Sequence, residues 1–223
     1  MLSRQSGGGY TGSIILSSGG SIGVPSLSYN DLYEKTTEFS KWRNLLDLHV
    51  LDLREDVEKH IENIRRSLFN AGDNVIGVLL RGTDYISRKL YNHAIQPPIE
   101  LAMTTVYQKA KEWGCNKIFL ATEDKSFVEA FKSIFGNQVV TVPKVYTDFR
   151  ANNGISHAMY VNDRENDYYL KGLEYLTEMV ILSKCENVVM GRTSGTAGVN
   201  MMSKGFKNKY YFFLGRYGVV GEL

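Results

Sequence analysis

An apolar run without alternation, Val-Ile-Gly-Val-Leu-Leu at 75–80, breaks directly into Arg81-Gly-Thr-Asp84. A strand that is apolar on both faces has to be covered on both faces, which is the situation of a parallel sheet between two helical layers. Arg81 then falls at the carboxyl end of the strand, the edge where open α/β sheets bind ligands. A guanidinium there is placed to meet an anion, and Gly82 lets backbone or ligand approach closely. On these residues alone a second reading stays open, in which Arg81 and Asp84 pair with each other or cap the turn.

The rest of the chain fits such a sheet. Strands are expected at 75–80, 117–121, 139–142, 187–190 and about 210–214, alternating with helices. Val57, Ile61, Ile64 and Leu68 repeat at helical spacing and predict a helix over 51–69. A second helix starts near Pro98, carries Ile99, Ala102, Met103, Val106, Ala110 and Trp113 on one face, and stops at Gly114. Ser126 with Glu129 reads as a capping box for a third helix that ends at Gly136. Tyr169, Leu173, Leu176 and Val180 define a fourth, long one. The connection over 143–166 is far longer than an ordinary βα loop and is therefore expected to be functional or disordered. The fold class is α/β, a Rossmann-like parallel sheet with helices on both faces, preceded by a short helical segment. By domain, 1–27 reads as a flexible Gly/Ser-rich start, 28–70 as a helical segment, and 71–223 as the Rossmann-like unit.

Composition narrows the function classes. The 223 residues carry 26 basic and 24 acidic side chains, a net charge of +2, with the basic residues scattered. Nothing in that balance asks for nucleic acid as a partner. Cys115 and Cys185 lack CxxC spacing and His partners, so free buried thiols are expected rather than a disulfide or zinc site. No apolar stretch reaches the roughly 20 residues of a membrane helix. A cytoplasmic location is the default expectation, with peripheral membrane attachment compatible.

Three strand ends deliver polar residues to one edge: Arg81 to Asp84, Thr122-Glu-Asp124, and Gly191-Arg-Thr-Ser-Gly-Thr-Ala-Gly198. The third joins a strand to a helix through small residues. Exposed amides at such a helix start bind phosphate, and the hydroxyls of Thr193 and Ser194 add donors beside Gly195. It is neither a GxxxxGK[ST] loop nor GxGxxG. Read singly, Thr122, Asp124 and the Gly-Ser-Thr turn are also ordinary cap residues.

Together the blocks bring a family into view. From Val75 onward the chain resembles the fucosyltransferase-like glycosyltransferases, which include nodulation, core α1,6- and protein O-fucosyltransferases, and among them the bacterial surface-polysaccharide enzymes. The resemblance rests on Ile76-Gly-Val-Leu-Leu-Arg-Gly-Thr-Asp84 followed by His93-Ala-Ile-Gln96, on Ile118-Phe-Leu-Ala-Thr-Glu-Asp124, and on Leu182-Ser-Lys-Cys-Glu186 through Thr193-Ser194, in that order. It implies the donor-binding half of a two-Rossmann (GT-B) enzyme that transfers a sugar, fucose from GDP-fucose, to a glycan acceptor by a metal-independent inverting mechanism. Arg81 stands where the family binds the donor diphosphate, with Asp84 after it; Leu79 replaces a histidine often found two residues earlier. Glu123 and Asp124 match an acidic pair near the base or ribose, Glu178 an acidic residue on the long helix, and Thr193, Ser194 and Gly195 the donor-phosphate turn.

The resemblance implies no cofactor and no metal, and no D-x-D motif occurs; Asp163-Arg-Glu165 is the nearest approach. For activating the acceptor hydroxyl the candidates are Asp84, His93, Asp163 and Glu165. His93 reads equally as a loop histidine, and 163–167 as a solvated loop or helix start. Enzymes of this kind carry a further amino-terminal domain, for which 1–70 is too short. A separate domain or a second copy of the chain is thus an expected partner. The alternative function is a non-catalytic or truncated nucleotide-sugar-binding protein.

Overall fold

The computed structural model describes residues 40, 43–44, 53–82, 86, 88–148 and 161–219. The Gly/Ser-rich start, nearly all of 28–52, the Thr83-Asp84-Tyr85 end of the first motif and the middle of the long loop, 149–160, lie outside the described residues.

Five parallel strands form one sheet in the order β3-β2-β1-β4-β5. They are β1 (Val75–Leu79), β2 (Lys117–Ala121), β3 (Val139–Val140), β4 (Asn187–Gly191) and β5 (Asn208–Phe212). The chain steps outward from β1 through β2 to β3, then crosses back to place β4 on the other side of β1. The direction of winding therefore reverses between β1 and β4, and a crevice opens at the carboxyl ends of these two strands. Leu79 lies opposite Met190 in that register, so Arg81 and Arg192 both follow the last paired residues at this edge.

Strand alternation splits the core in two, as a sheet covered on both faces requires. Ile76, Val78, Leu80, Ile118, Leu120, Val189 and Phe212 point to one layer. There they meet Ala102 and Val106 of α2 (Ile99–Trp113) and Phe127, Val128 and Phe131 of α3 (Lys125–Phe135). Leu79, Phe119, Ala121, Val188 and Met190 point to the other layer. Their partners are Ile61 of α1 (Glu55–Leu68), Met179, Ile181 and Leu182 of α4 (Asp167–Ser183), and Val199 of α5 (Ser194–Met202). Gly77 sits under α4: a Cβ there would stand 2.9 Å from Leu182 Cδ2 and 3.1 Å from Cys185 Sγ.

Several expectations are corrected. The cap of α3 is Asp124, not Ser126: Asp124 Oδ1 accepts from the Ser126 amide at 2.9 Å and from its hydroxyl at 2.7 Å. The third strand is two residues, Val139–Val140, pairing with Ile118 and Phe119 and ending before Val142. The last strand begins at Asn208, where Asn208 Nδ2 donates to Asn187 Oδ1 at 2.7 Å, so polar side chains rather than apolar ones start the pairing. On α4 the expected stripe is buried in part: Tyr169 is exposed, whereas Leu176 and Val180 pack against the second layer beside buried Met179, Ile181 and Leu182. Asp167, Lys171, Thr177 and Glu178 are buried as well, and hydropathy does not mark charged positions whose burial depends on pairing. Gly114, in contrast, ends α2 as expected, at φ +67° with its amide directed to Ala110 and Lys111 carbonyls. Cys115 and Cys185 are free, and burial pushes the Cys185 thiol up to about 12.

Candidate functional site

At the carboxyl edge, β1, β2, the start of the loop after β3, α4 and the amino end of α5 surround a narrow cleft of about 50 Å³. That is room for a few water molecules. Among the described residues, larger cavities lie elsewhere, one of about 400 Å³ between α1, α4 and α5 beside Leu53 and Met202 and one of about 500 Å³ under the amino ends of the strands beside Asn74 and Lys207. The cleft is nevertheless the chemically equipped one, since Arg81, Glu123, Lys144, Lys171, Glu174 and Glu178 all face it.

Arg81 is held in part from the neighbouring strand end. Its Nε lies 3.3 Å from Glu123 Oε1, with the arginine side chain 29% exposed and the glutamate 10%. Gly82 earns its place through Asp124: a Cβ on Gly82 would come within 2.7 Å of Asp124 Cβ and collide with Oδ2. Asp124 is thus spent on capping α3 and packing against β1's exit, and it does not line the cleft. The expected acidic pair is divided, with Glu123 facing the cleft and Asp124 structural. Thr122, buried at the cleft, accepts from the Asp124 amide at 3.3 Å.

The segment after β3 then folds back along the end of β2. Thr147 donates its amide to Glu123 O at 3.0 Å and accepts from the Lys125 amide at 3.1 Å, which extends the parallel pairing beyond the sheet. Val142 is buried on one side of this stretch, and Tyr146 donates to its carbonyl at 2.9 Å. Lys144 is thereby aimed inward, and its Nζ meets Glu178 Oε1 at 2.7 Å with both side chains at most 4% exposed. Burial pushes the Glu178 carboxyl up to about 7; the Lys144 charge opposes the rise, and Glu123 and Glu174 add to it. Deeper along α4, Lys171 meets Asp167 at 2.9 Å, and Arg164 joins Asp167 at 2.6 Å to Glu174 at 2.5 Å. Asp167 loses solvation on burial, yet hydrogen bonds from Asn162, Arg164 and Lys171 outweigh that and hold its carboxyl well below the usual range.

The fourth wall is the start of α5. Thr193 is its N-cap, accepting from the Thr196 amide at 3.1 Å, and the Thr196 hydroxyl turns back to Gly191 O. Ser194 is exposed at the first helical position. At Gly195 a Cβ would sit 2.7 Å from the Tyr175 hydroxyl, so a larger residue there would displace that side chain. Arg192, 6% exposed, lies 5.0 Å from the Phe213 ring, and Gln96 Nε2 donates to its carbonyl at 2.9 Å.

Of the residues singled out in the sequence, Arg81, Glu123, Glu178, Thr193 and Gly195 meet at the cleft. Gly82 and Asp124 stand behind it. His93 does not: it is exposed, in a stretch paired with 215–217 through its carbonyl and the Tyr217 amide at 3.0 Å. Asp163 and Glu165 are exposed, and Asp84 lies outside the described residues. Lys144, Lys171, Glu174 and Arg192 were not foreseen. A lone lysine after a short strand carries no signal, but Asp167, Lys171, Glu174 and Glu178 step along α4 at helical spacing, a polar stripe in an otherwise apolar helix that could have been read. Among the described residues no group of three or more His, Cys, Asp or Glu side chains is arranged to hold a metal ion, and no helix is long and apolar enough to cross a membrane.

No protein-family model and no curated protein matches this chain. Among solved structures it is similar to NodZ alpha-1,6-fucosyltransferase soaked with GDP-fucose, at 21% identity over 68% of this chain and 43% of that one, with a TM-score of 0.43. It is also similar to fucosyltransferase NodZ from Bradyrhizobium (20% identity, 68% and 43% covered, TM-score 0.41). A third is POFUT1 in complex with GDP-fucose (10% identity, 78% and 49% covered, TM-score 0.47). The chain spans under half the length of each of these three.

Proposed function

We propose that the cleft binds the diphosphate of a nucleotide sugar and that the chain is the donor half of a fucosyltransferase-like glycosyltransferase, with GDP-fucose as donor and a glycan as acceptor. The observation that carries this reading is the meeting of Arg81 and the amino end of α5 at the carboxyl ends of β1 and β4, where the winding of the sheet reverses. The ordered sequence blocks support the fucosyltransferase-like part.

The chemistry asked of these groups is electrostatic. Transfer breaks the bond between the anomeric carbon and the β-phosphate oxygen, so negative charge develops on the diphosphate and positive charge on the sugar ring. A fixed guanidinium and the first amides of α5, beside Thr193 and Gly195, meet that negative charge without having to reorganise. The acceptor hydroxyl attacks the opposite face, inverting the anomeric centre, and the leaving diphosphate is stabilised without a metal ion.

A second reading, a nucleotide-sugar-binding protein without turnover, is favoured by one observation: none of the described candidates for activating the acceptor, His93, Asp163 or Glu165, lines the cleft. An assay of GDP-fucose hydrolysis and of transfer to surface-glycan oligosaccharides separates the two. Turnover with GDP-fucose supports the enzyme, and tight GDP binding without turnover supports the binder. Absence of binding to GDP, UDP and their sugars would exclude both.

A further inference from the structure

Lys144 is buried against Glu178 at 2.7 Å and lies 5.2 Å over the Tyr146 ring. An ammonium and a carboxylate buried together recover their lost hydration only with close geometry, and well-packed apolar residues commonly serve stability as well or better. Here the pair is also placed at the cleft rather than in either apolar layer, next to Arg81 and opposite the start of α5. The lysine backbone is pinned on both sides, by buried Val142 before it and by the Thr147 pairing to Glu123 and Lys125 after it. Its partner holds it against opposition, since Glu123 and Glu174 also bear on Glu178 and, with burial, favour a neutral carboxyl there. A cation is thus stored beside the anion-binding edge on a carboxylate that is ill suited to keep it.

We propose that Lys144 is a second anion-binding cation of the cleft, masked by Glu178 until a diphosphate draws it away. Glu178 is then a positioning residue, which departs from the donor contact that the family resemblance implies for it. The inference rests on the diphosphate reading of the cleft. It follows that removing the Glu178 charge should strengthen the binding of a bare diphosphate, an effect that a direct donor contact would not give, and the double variant separates the share of Lys144 from that of the lost negative charge.

The test is isothermal titration of inorganic pyrophosphate, and separately of GDP, into the full chain, Glu178→Gln, and the double variant Lys144→Met/Glu178→Leu. The double variant replaces the pair by apolar side chains and so guards against a Glu178→Gln protein that does not fold. Expected are pyrophosphate affinity about threefold or more higher in Glu178→Gln and about ten- to a hundredfold lower in the double variant. Unchanged or weaker pyrophosphate binding in a folded Glu178→Gln, or a double variant that binds like the wild type, would overturn the role of Lys144 while GDP binding by the wild type left the site reading intact. If the pyrophosphate pattern holds but GDP binds no more tightly than pyrophosphate, the nucleotide reading fails and Lys144 keeps its role. A wild type that binds neither removes both.

Discussion

Gly82 offers the sharpest test of how the cleft is built. Replacing it by alanine introduces a Cβ within 2.7 Å of Asp124 Cβ and 2.8 Å of Asp124 Cγ, and in collision with Oδ2. Asp124 is 7% exposed and cannot swing outward without giving up the α3 cap to Ser126. Two costs combine: overpacking of about 1–3 kcal/mol and loss of an N-cap of about 0.5–2 kcal/mol. Gly82→Ala should therefore lose about 2–4 kcal/mol of stability, the sum discounted because relaxing one strain relieves part of the other. Urea unfolding at unchanged m-value measures it. Gly172→Ala is the control, since the added methyl on α4 meets nothing within 4 Å. That variant should gain about 0.5–1 kcal/mol from helix propensity alone. A Gly82→Ala protein within about 0.5 kcal/mol of the wild type would refute the close-approach argument, whatever the ligand.

Three further outcomes are expected. Because the Glu178 carboxyl is raised from its ordinary 4.5 to about 7, the folded form binds a proton that the unfolded form releases. The stability this contributes is fully present below about 4.5 and is lost as pH rises through about 7. The wild-type-minus-Glu178→Gln stability difference, measured by chemical denaturation, should fall across that window, and a flat difference would contradict it. Buried Cys185, with its thiol pushed up to about 12, should react with a thiol reagent near pH 8 only on unfolding and more slowly than partly exposed Cys115; fast native-state labelling of Cys185 would contradict the packing against β1. Arg164→Met should release the amino end of α4, seen as faster amide exchange over 162–170, because Arg164 bonds both Asp167 and Glu174. Unchanged exchange there would show the network to be dispensable.

What could be read from the sequence was whatever rests on apolar periodicity and on backbone punctuation. The run from Val75 foretold a parallel strand covered on both faces because such cover leaves no room for alternation, and β1 is such a strand. Pro98 and Gly114 bounded α2 because one cannot extend a helix backward through its missing donor and the other alone adopts φ +67° without strain. Charge pairing was not legible. Arg81 meets Glu123 beyond the end of the adjacent strand, 42 positions on by number and near it only once the sheet forms. Lys144 and Glu178 are separated in the same manner, and neither signals the other. Asp124, by contrast, was legible as an ordinary cap residue and does cap α3.

The measurement that bears most directly on the central claim is the affinity of GDP for the wild type and for Arg81→Ala, by isothermal titration with folding checked in parallel. If the carboxyl edge of β1 and the start of α5 hold a diphosphate, the wild type binds GDP and loss of the guanidinium weakens it by about 1.5–3 kcal/mol, a charge-assisted hydrogen bond's share. A folded Arg81→Ala protein with wild-type affinity would contradict the account, as would a wild type that does not bind GDP at all.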